Sequence, residues 1–206
     1  MKWKVCGMRE KENIRELLEF NPDYMGLIFF PGSPRYVGFL EADIIQELKD
    51  ANISLVGVFV NENSQEILKR VREFELDFVQ LHGDETVDQA EPLRDQGVKL
   101  IKVFRIESKL PVEEIKMWEP LVEFFLFDTA GKNYGGNAKH FSWHVLQGYP
   151  GQKPFFLSGG IDVADLAAIK QLGLPQLHGV DVNSKMEISP GRKSMEKINA
   201  LSEAIC

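Results

Sequence analysis

Two side chains in this sequence are placed to move protons. Asp128 follows the apolar run Phe124-Phe125-Leu126-Phe127, and Cys6 follows Trp3-Lys4-Val5. A carboxyl at the end of so apolar a segment loses water, which disfavours its charged form and lets it hold a proton near neutral pH. An aspartate after a strand also commonly caps a helix or ties a loop, and position alone does not separate the two roles. A thiol at a strand end beside Gly7 is accessible enough to act as a thiolate base. The plainer reading of Cys6 is a packed, inert thiol, because cysteine is among the most buried residue types.

Other residues supply binding chemistry. Leu157-Ser158-Gly159-Gly160-Ile161 ends one apolar run and opens a helical one. Paired glycines let backbone N–H groups approach an anion, and the following helix adds its own free donors. Val182-Asn183-Ser184 ends the next run, so Gly159, Gly160, Asn183 and Ser184 are expected to form a phosphate site. The Gly-Gly pair alone is equally consistent with a tight turn. Arg35 lies in Pro31-Gly32-Ser33-Pro34-Arg35-Tyr36, where two prolines stiffen the backbone. A guanidinium held there can grip a carboxylate through two hydrogen bonds, although most arginines are simply solvated. His82, in Gln80-Leu81-His82-Gly83, is expected to support the site. No His, Cys and Asp cluster has metal-ligand spacing, so no metal is expected. Gly131–Gly136 and Gly148–Gly151 match neither a P-loop nor a dinucleotide fingerprint, and no cofactor is expected.

These residues all follow short apolar runs, and the runs alternate with helical patterns. Strands are expected over Trp3–Val5, Tyr24–Phe30, Ser54–Val60, Phe78–Leu81, Lys99–Arg105, Glu123–Phe127, Pro154–Leu157 and Val180–Val182. Helices are expected over Glu12–Phe20, Leu40–Lys49, Ser64–Phe74 with Ser64 as N-cap, Thr86–Gln96, Val112–Trp118, Phe141–Leu146, Val163–Leu172 and Ser194–Ile205. The strands are continuous apolar runs, as parallel strands covered by helices require. About eight β-then-α units favour a closed (β/α)8 TIM barrel over an open sheet. No linker or low-complexity segment divides the chain, so residues 1–206 are expected to form a single domain. In either architecture chemistry collects where strands end.

Composition narrows the function. The 206 residues are 44% hydrophobic and 27% charged, with a formal net charge of -7. This is an ordinary soluble composition that argues against nucleic-acid binding. Two cysteines, Cys6 and Cys206, are too few for a disulfide scaffold and suggest a reducing compartment. The N-terminus turns polar by Arg9, which is too soon for a signal peptide. No apolar run approaches the ~20 residues that span a bilayer. A cytoplasmic protein with no membrane partner is expected.

Taken in order, several segments resemble the phosphoribosylanthranilate isomerase family of tryptophan biosynthesis. They are Lys4-Val5-Cys6-Gly7, Gly26–Phe29 with Ser33–Tyr36, Val56–Asn61, Gln80–Gly83, Phe127-Asp128, Leu157–Gly160, and Gly179–Ser184 with Glu187 and Pro190-Gly191. The resemblance implies an Amadori rearrangement of N-(5′-phosphoribosyl)anthranilate to 1-(2-carboxyphenylamino)-1-deoxyribulose 5-phosphate. In the family, the aspartate matching Asp128 is the general acid that protonates the ribose ring oxygen. The cysteine matching Cys6 is the general base that removes the C2′ proton. The arginine matching Arg35 binds the anthranilate carboxylate, and the loops matching Gly159, Gly160, Asn183 and Ser184 bind phosphate. Asp181 and His82 join the substrate-binding set by the same resemblance. The partner so implied is a small phosphorylated substrate, handled by a monomer or homodimer. The chain departs from the family at Ala138 and Ser142 in the loop after the sixth strand, and at Asn183 and Lys185 in the eighth. Two alternatives remain: another phosphosugar isomerase or epimerase on the same barrel, or a phosphate-binding barrel without catalysis.

Overall fold

The computed structural model describes residues 1–129 and 142–205. Gly131–Gly136, Ala138, Phe141 and Cys206 therefore lie outside the described residues. Eight parallel strands close in sequence order into a barrel: β1 (Lys2–Cys6), β2 (Tyr24–Ile28), β3 (Ser54–Phe59), β4 (Phe78–Leu81), β5 (Lys99–Ile106), β6 (Phe124–Thr129), β7 (Phe155–Leu157) and β8 (Leu177–Val182). The last strand returns to the first, with Lys4 opposite Asp181 in the β1–β8 register. Helices α1 (Lys11–Leu18), α2 (Ala42–Asp50), α3 (Ser64–Phe74), α4 (Val87–Asp95), α5 (Val112–Trp118), α6 (Leu166–Gln171) and α7 (Met195–Ile205) connect the strands or follow the last one.

Alternation along the strands sorts residues between two cores. Outward side chains such as Val5, Leu55, Leu100, Phe125 and Val182 pack in one large cluster with helix residues such as Ile14, Ile44, Ile115 and Ile198. Inward side chains fill the barrel itself with Tyr24, Val56, Phe78, Ile101, Val103, Leu126 and Phe156. Aromatic rings plug the end where the strands begin. Tyr24 meets Phe156 edge-on at 5.0 Å, Phe124 meets Phe156 at 5.3 Å, and the Tyr24 hydroxyl lies 2.9 Å from His178 Nε2. This plug closes the end where the strands begin, and Cys6, Asp128 and Asp181 lie toward the opposite, C-terminal end of their strands.

Three local expectations are corrected, and one pair of strands is added. The N-cap of α3 is Asn63, whose side chain accepts from the Glu66 N–H, and Ser64 is the first helical residue. The helix expected over Phe141–Leu146 is, in the described part, a 3-10 segment at Trp143–Gly148. The helix expected over Val163–Leu172 starts as a 3-10 turn, Val163–Asp165. Asp162 accepts from the Val163 N–H while Asp165 accepts from the Asp162 N–H, which tightens that first turn. Finally, a short hairpin of β9 (Glu187–Ser189) and β10 (Arg192–Lys193) follows β8, a pair the apolar pattern does not reveal.

Candidate active site

One pocket at the C-terminal ends of the strands gathers most of the expected site. Cys6, His82 and Asp128 line it together with Gly159, Gly160 and Asp181, and Asn183 and Ser184 complete the side formed by β8. Arg35 is not part of this lining, and neither is Lys185. Among the described residues, no group of three or more His, Cys, Asp and Glu side chains is arranged to hold a metal.

Cys6 is the last residue of β1 and is 4% exposed. Burial pushes its thiol up, against the pull of the nearby Lys4 ammonium. Lys4 sits two residues earlier on the same inward face and is completely buried. Its Nζ donates to Asp181 Oδ1 at 2.8 Å, and Asp181 Oδ2 accepts from the Ser158 hydroxyl at 3.2 Å. Asp181 is thus engaged within the barrel as well as bordering the pocket. In the sequence Lys4 belongs to a strand and to the segment Lys4-Val5-Cys6-Gly7, with no role of its own. A lone lysine between apolar residues, on the same face as Cys6, was the available signal.

Asp128 stands on another wall, 5% exposed, with Oδ1 accepting from the Thr129 N–H at 2.8 Å. Its Oδ2 lies 3.5 Å from His82 Nε2. The Gln80 amide nitrogen is 2.9 Å from His82 Nδ1. An amide nitrogen donates, so Nδ1 accepts and the ring proton sits on Nε2, toward Asp128. Among the described residues, His82 Nε2 and Gln80 Oε1 are buried without a hydrogen-bond partner. Such atoms in a pocket wall are available to a ligand.

The β7 and β8 ends form a small polar floor. Gly159 and Gly160 adopt φ of +103° and +75°. A Cβ on Gly159 would also lie 2.2 Å from Thr129 Oγ1, so this position demands glycine twice over. Asn183 and Ser184 lead into a 3-10 turn, Ser184–Met186. Asn183 Oδ1 accepts from Lys193 Nζ at 2.7 Å.

Arg35 is clamped from the side. Its Nε and Nη2 donate to Glu187 Oε1 and Oε2 at 2.8 and 2.6 Å, a two-point grip on β9. Glu187 also accepts from Lys193 Nζ at 2.9 Å and from the Gly191 N–H at 3.0 Å. Burial pushes the Glu187 carboxyl up, but these partners overcome it and hold the group at about 2. A Cβ on Gly7 would lie 2.9 Å from Arg35 Cδ, so the arginine stem passes directly beside the segment that follows Cys6. Glu187 and Lys193 were missed as site residues in sequence. Pro190-Gly191, with Gly191 at φ +85°, was the signal of the turn that brings them back.

Known proteins show the same arrangement of sequence and fold. A sequence profile of the family described as N-(5'phosphoribosyl)anthranilate (PRA) isomerase matches residues 3–204. The N-(5'-phosphoribosyl)anthranilate isomerase of Phocaeicola vulgatus is 43% identical over 190 residues, covering 92% of this chain and 90% of that protein. That of Parabacteroides distasonis is 38% identical over 205 residues, covering 98% and 92%. The crystal structure of phosphoribosyl anthranilate isomerase from Thermotoga maritima superposes with a TM-score of 0.84 at 26% identity, covering 99% of this chain and 98% of that one.

Proposed function

Because this chain belongs to the N-(5′-phosphoribosyl)anthranilate isomerase family, we propose that it rearranges N-(5′-phosphoribosyl)anthranilate with Asp128 as acid and Cys6 as base. The observation that carries the roles is their common pocket: a carboxyl at the end of β6 and a thiol at the end of β1 border one space. The floor formed by Gly159, Gly160, Asn183 and Ser184 fits the 5′-phosphate, as the last two strand ends of such barrels often do. The ribose then spans the space between acid and base.

The reaction divides into proton transfers that these groups can perform. Asp128 gives its proton to the ribose ring oxygen, the bond from that oxygen to C1′ breaks, and a Schiff base forms between C1′ and the anthranilate nitrogen. Cys6, as thiolate, takes the C2′ proton, and the Schiff base draws in the electron pair to give an enolamine. Protonation at C1′ and loss of the 2′-hydroxyl proton give the ketone and return both residues to their starting states. His82 Nε2 lies 3.5 Å from Asp128 Oδ2, beside that carboxyl in the pocket wall. Arg35 has two of its five N–H donors on Glu187, and the remaining donors serve the anthranilate carboxylate.

This chemistry uses no metal or cofactor, and the expected setting is the cytoplasm, as a monomer or homodimer. No helix among the described residues is long and apolar enough to cross a membrane. The test is to generate the substrate in situ, add purified protein without metal or cofactor, and follow the loss of anthranilate-type fluorescence. Rapid, protein-dependent loss is expected. An unchanged signal with folded protein would overturn the proposal.

A further inference from the structure

A buried thiol makes a poor base unless something favours its charged form, and burial pushes Cys6 the wrong way. The structure places an ammonium where it can offset this. Lys4 and Cys6 share the inward face of β1, and the residue opposite Cys6 on β2 is Gly26. A Cβ on Gly26 would lie 2.7 Å from Cys6 Sγ and 3.0 Å from Lys4 Nζ, so thiol and ammonium border the same small space. We infer that Lys4 is a positioning residue for the base: its buried ammonium, tethered by Asp181, is the fixed counter-charge against which Cys6 carries its negative charge. This rests on the reading of Cys6 as base.

The surrounding charges support the assignment. Lys4 faces Cys6 from β1, Asp181 from β8, Lys193 from β10 and Arg35 from the segment after β2, where Glu187 of β9 grips it. His82 of β4 and Asp128 of β6 border the pocket from its other walls. Lys4, Lys193 and Arg35 are three cations against the two carboxylates of Asp181 and Glu187. Burial pulls Lys193 down, whereas Lys4 is held up, so Lys4 is the steadiest positive charge facing Cys6. Lys4 itself keeps its proton firmly: burial pulls it down, but Asp181 and Cys6 more than offset that.

The experiment titrates that thiol. In a Cys206→Ser background Cys6 is the only cysteine. Thiolate absorbance near 240 nm, as a difference against Cys6→Ala, gives its midpoint without requiring turnover. Lys4→Met is expected to raise the midpoint by about one pH unit or more, roughly a tenfold loss of thiolate at a given pH. The low-pH limb of kcat/KM should move up with it. Asp181→Asn is expected to shift the midpoint the opposite way, because its carboxylate opposes the thiolate. Should Lys4→Met not fold, Lys4→Met/Asp181→Asn removes the ion pair as a whole and strands neither partner, and its midpoint is still expected above that of the parent protein, because Lys4 acts on the thiol more strongly than Asp181 does. An unmoved midpoint in these variants overturns the inference, as does a shift the kcat/KM profile does not follow. Full turnover by Cys6→Ala would sink the base assignment instead, and the thiol titration would still report on Lys4.

Discussion

Gly26→Ala probes the centre of the site with one methyl group. Gly26 is not at positive φ, so alanine fits the strand backbone and even loses less conformational entropy on folding. The cost comes from space. The new Cβ would lie 2.7 Å from Cys6 Sγ, 3.0 Å from Lys4 Nζ and 3.1 Å from Cys6 Cα. Ordinary carbon contacts lie at about 3.5–4.0 Å, so the thiol must retreat by about 1 Å. Crowding of this kind costs about 1–3 kcal/mol of stability. A misplacement of about 1 Å in a reacting group costs on the order of 100-fold in rate. Sγ is the free end of its side chain and swings away more easily than Cys6 Cα or the tethered Lys4 Nζ, so activity should suffer more than folding. Steady-state kinetics are expected to show kcat down by about 100-fold with KM little changed, alongside a modest loss in urea stability. Turnover within a few-fold of the parent protein would refute the placement of thiol and ammonium over Gly26.

Arg35→Ala should raise KM far more than it lowers kcat, because the arginine binds substrate and takes no part in proton transfer; an unmoved KM would reject the carboxylate role. Glu187 provides a pH test. Its carboxyl is held at about 2 against an ordinary 4.5, so its contribution is present above pH 4.5 and is lost as pH falls toward 2. Urea midpoints measured between pH 6 and 2.5 should show Glu187→Gln converging on the parent protein at the acid end, from a gap of about 2–3 kcal/mol. Phe156→Ala, at a fully buried position of the aromatic plug, should cost about 3–5 kcal/mol in unfolding experiments, while the folded fraction turns over normally.

The sequence carries the barrel openly because each strand is a dense apolar run and most helices bury one stripe. Phe78–Leu81, Ser64–Phe74 and Val112–Trp118 have the same bounds in the structure as in the pattern. What the pattern misses is local or long-range. The first turn before α6 is 3-10, with the side chains of Asp162 and Asp165 each accepting from one N–H of the turn, which periodicity does not register. The β9–β10 hairpin is too short and too polar to show as strands. The site was legible where a reactive residue follows an apolar run, as with Cys6, His82, Asp128 and Gly159-Gly160. Alternation puts Lys4 on the face of Cys6, but its partner is hidden until the barrel closes and Asp181 of β8 stands opposite it. Arg35 finds Glu187 across 152 residues, a pairing no local spacing encodes.

The fluorescence assay run on Cys6→Ala and on Asp128→Asn, beside binding of a reduced product analogue, tests the central claim most directly. Each variant should lose about 100-fold or more of kcat while binding the analogue within a few-fold of the parent protein. Parent-like turnover by either variant would contradict the assignment of that residue and with it the two-residue mechanism.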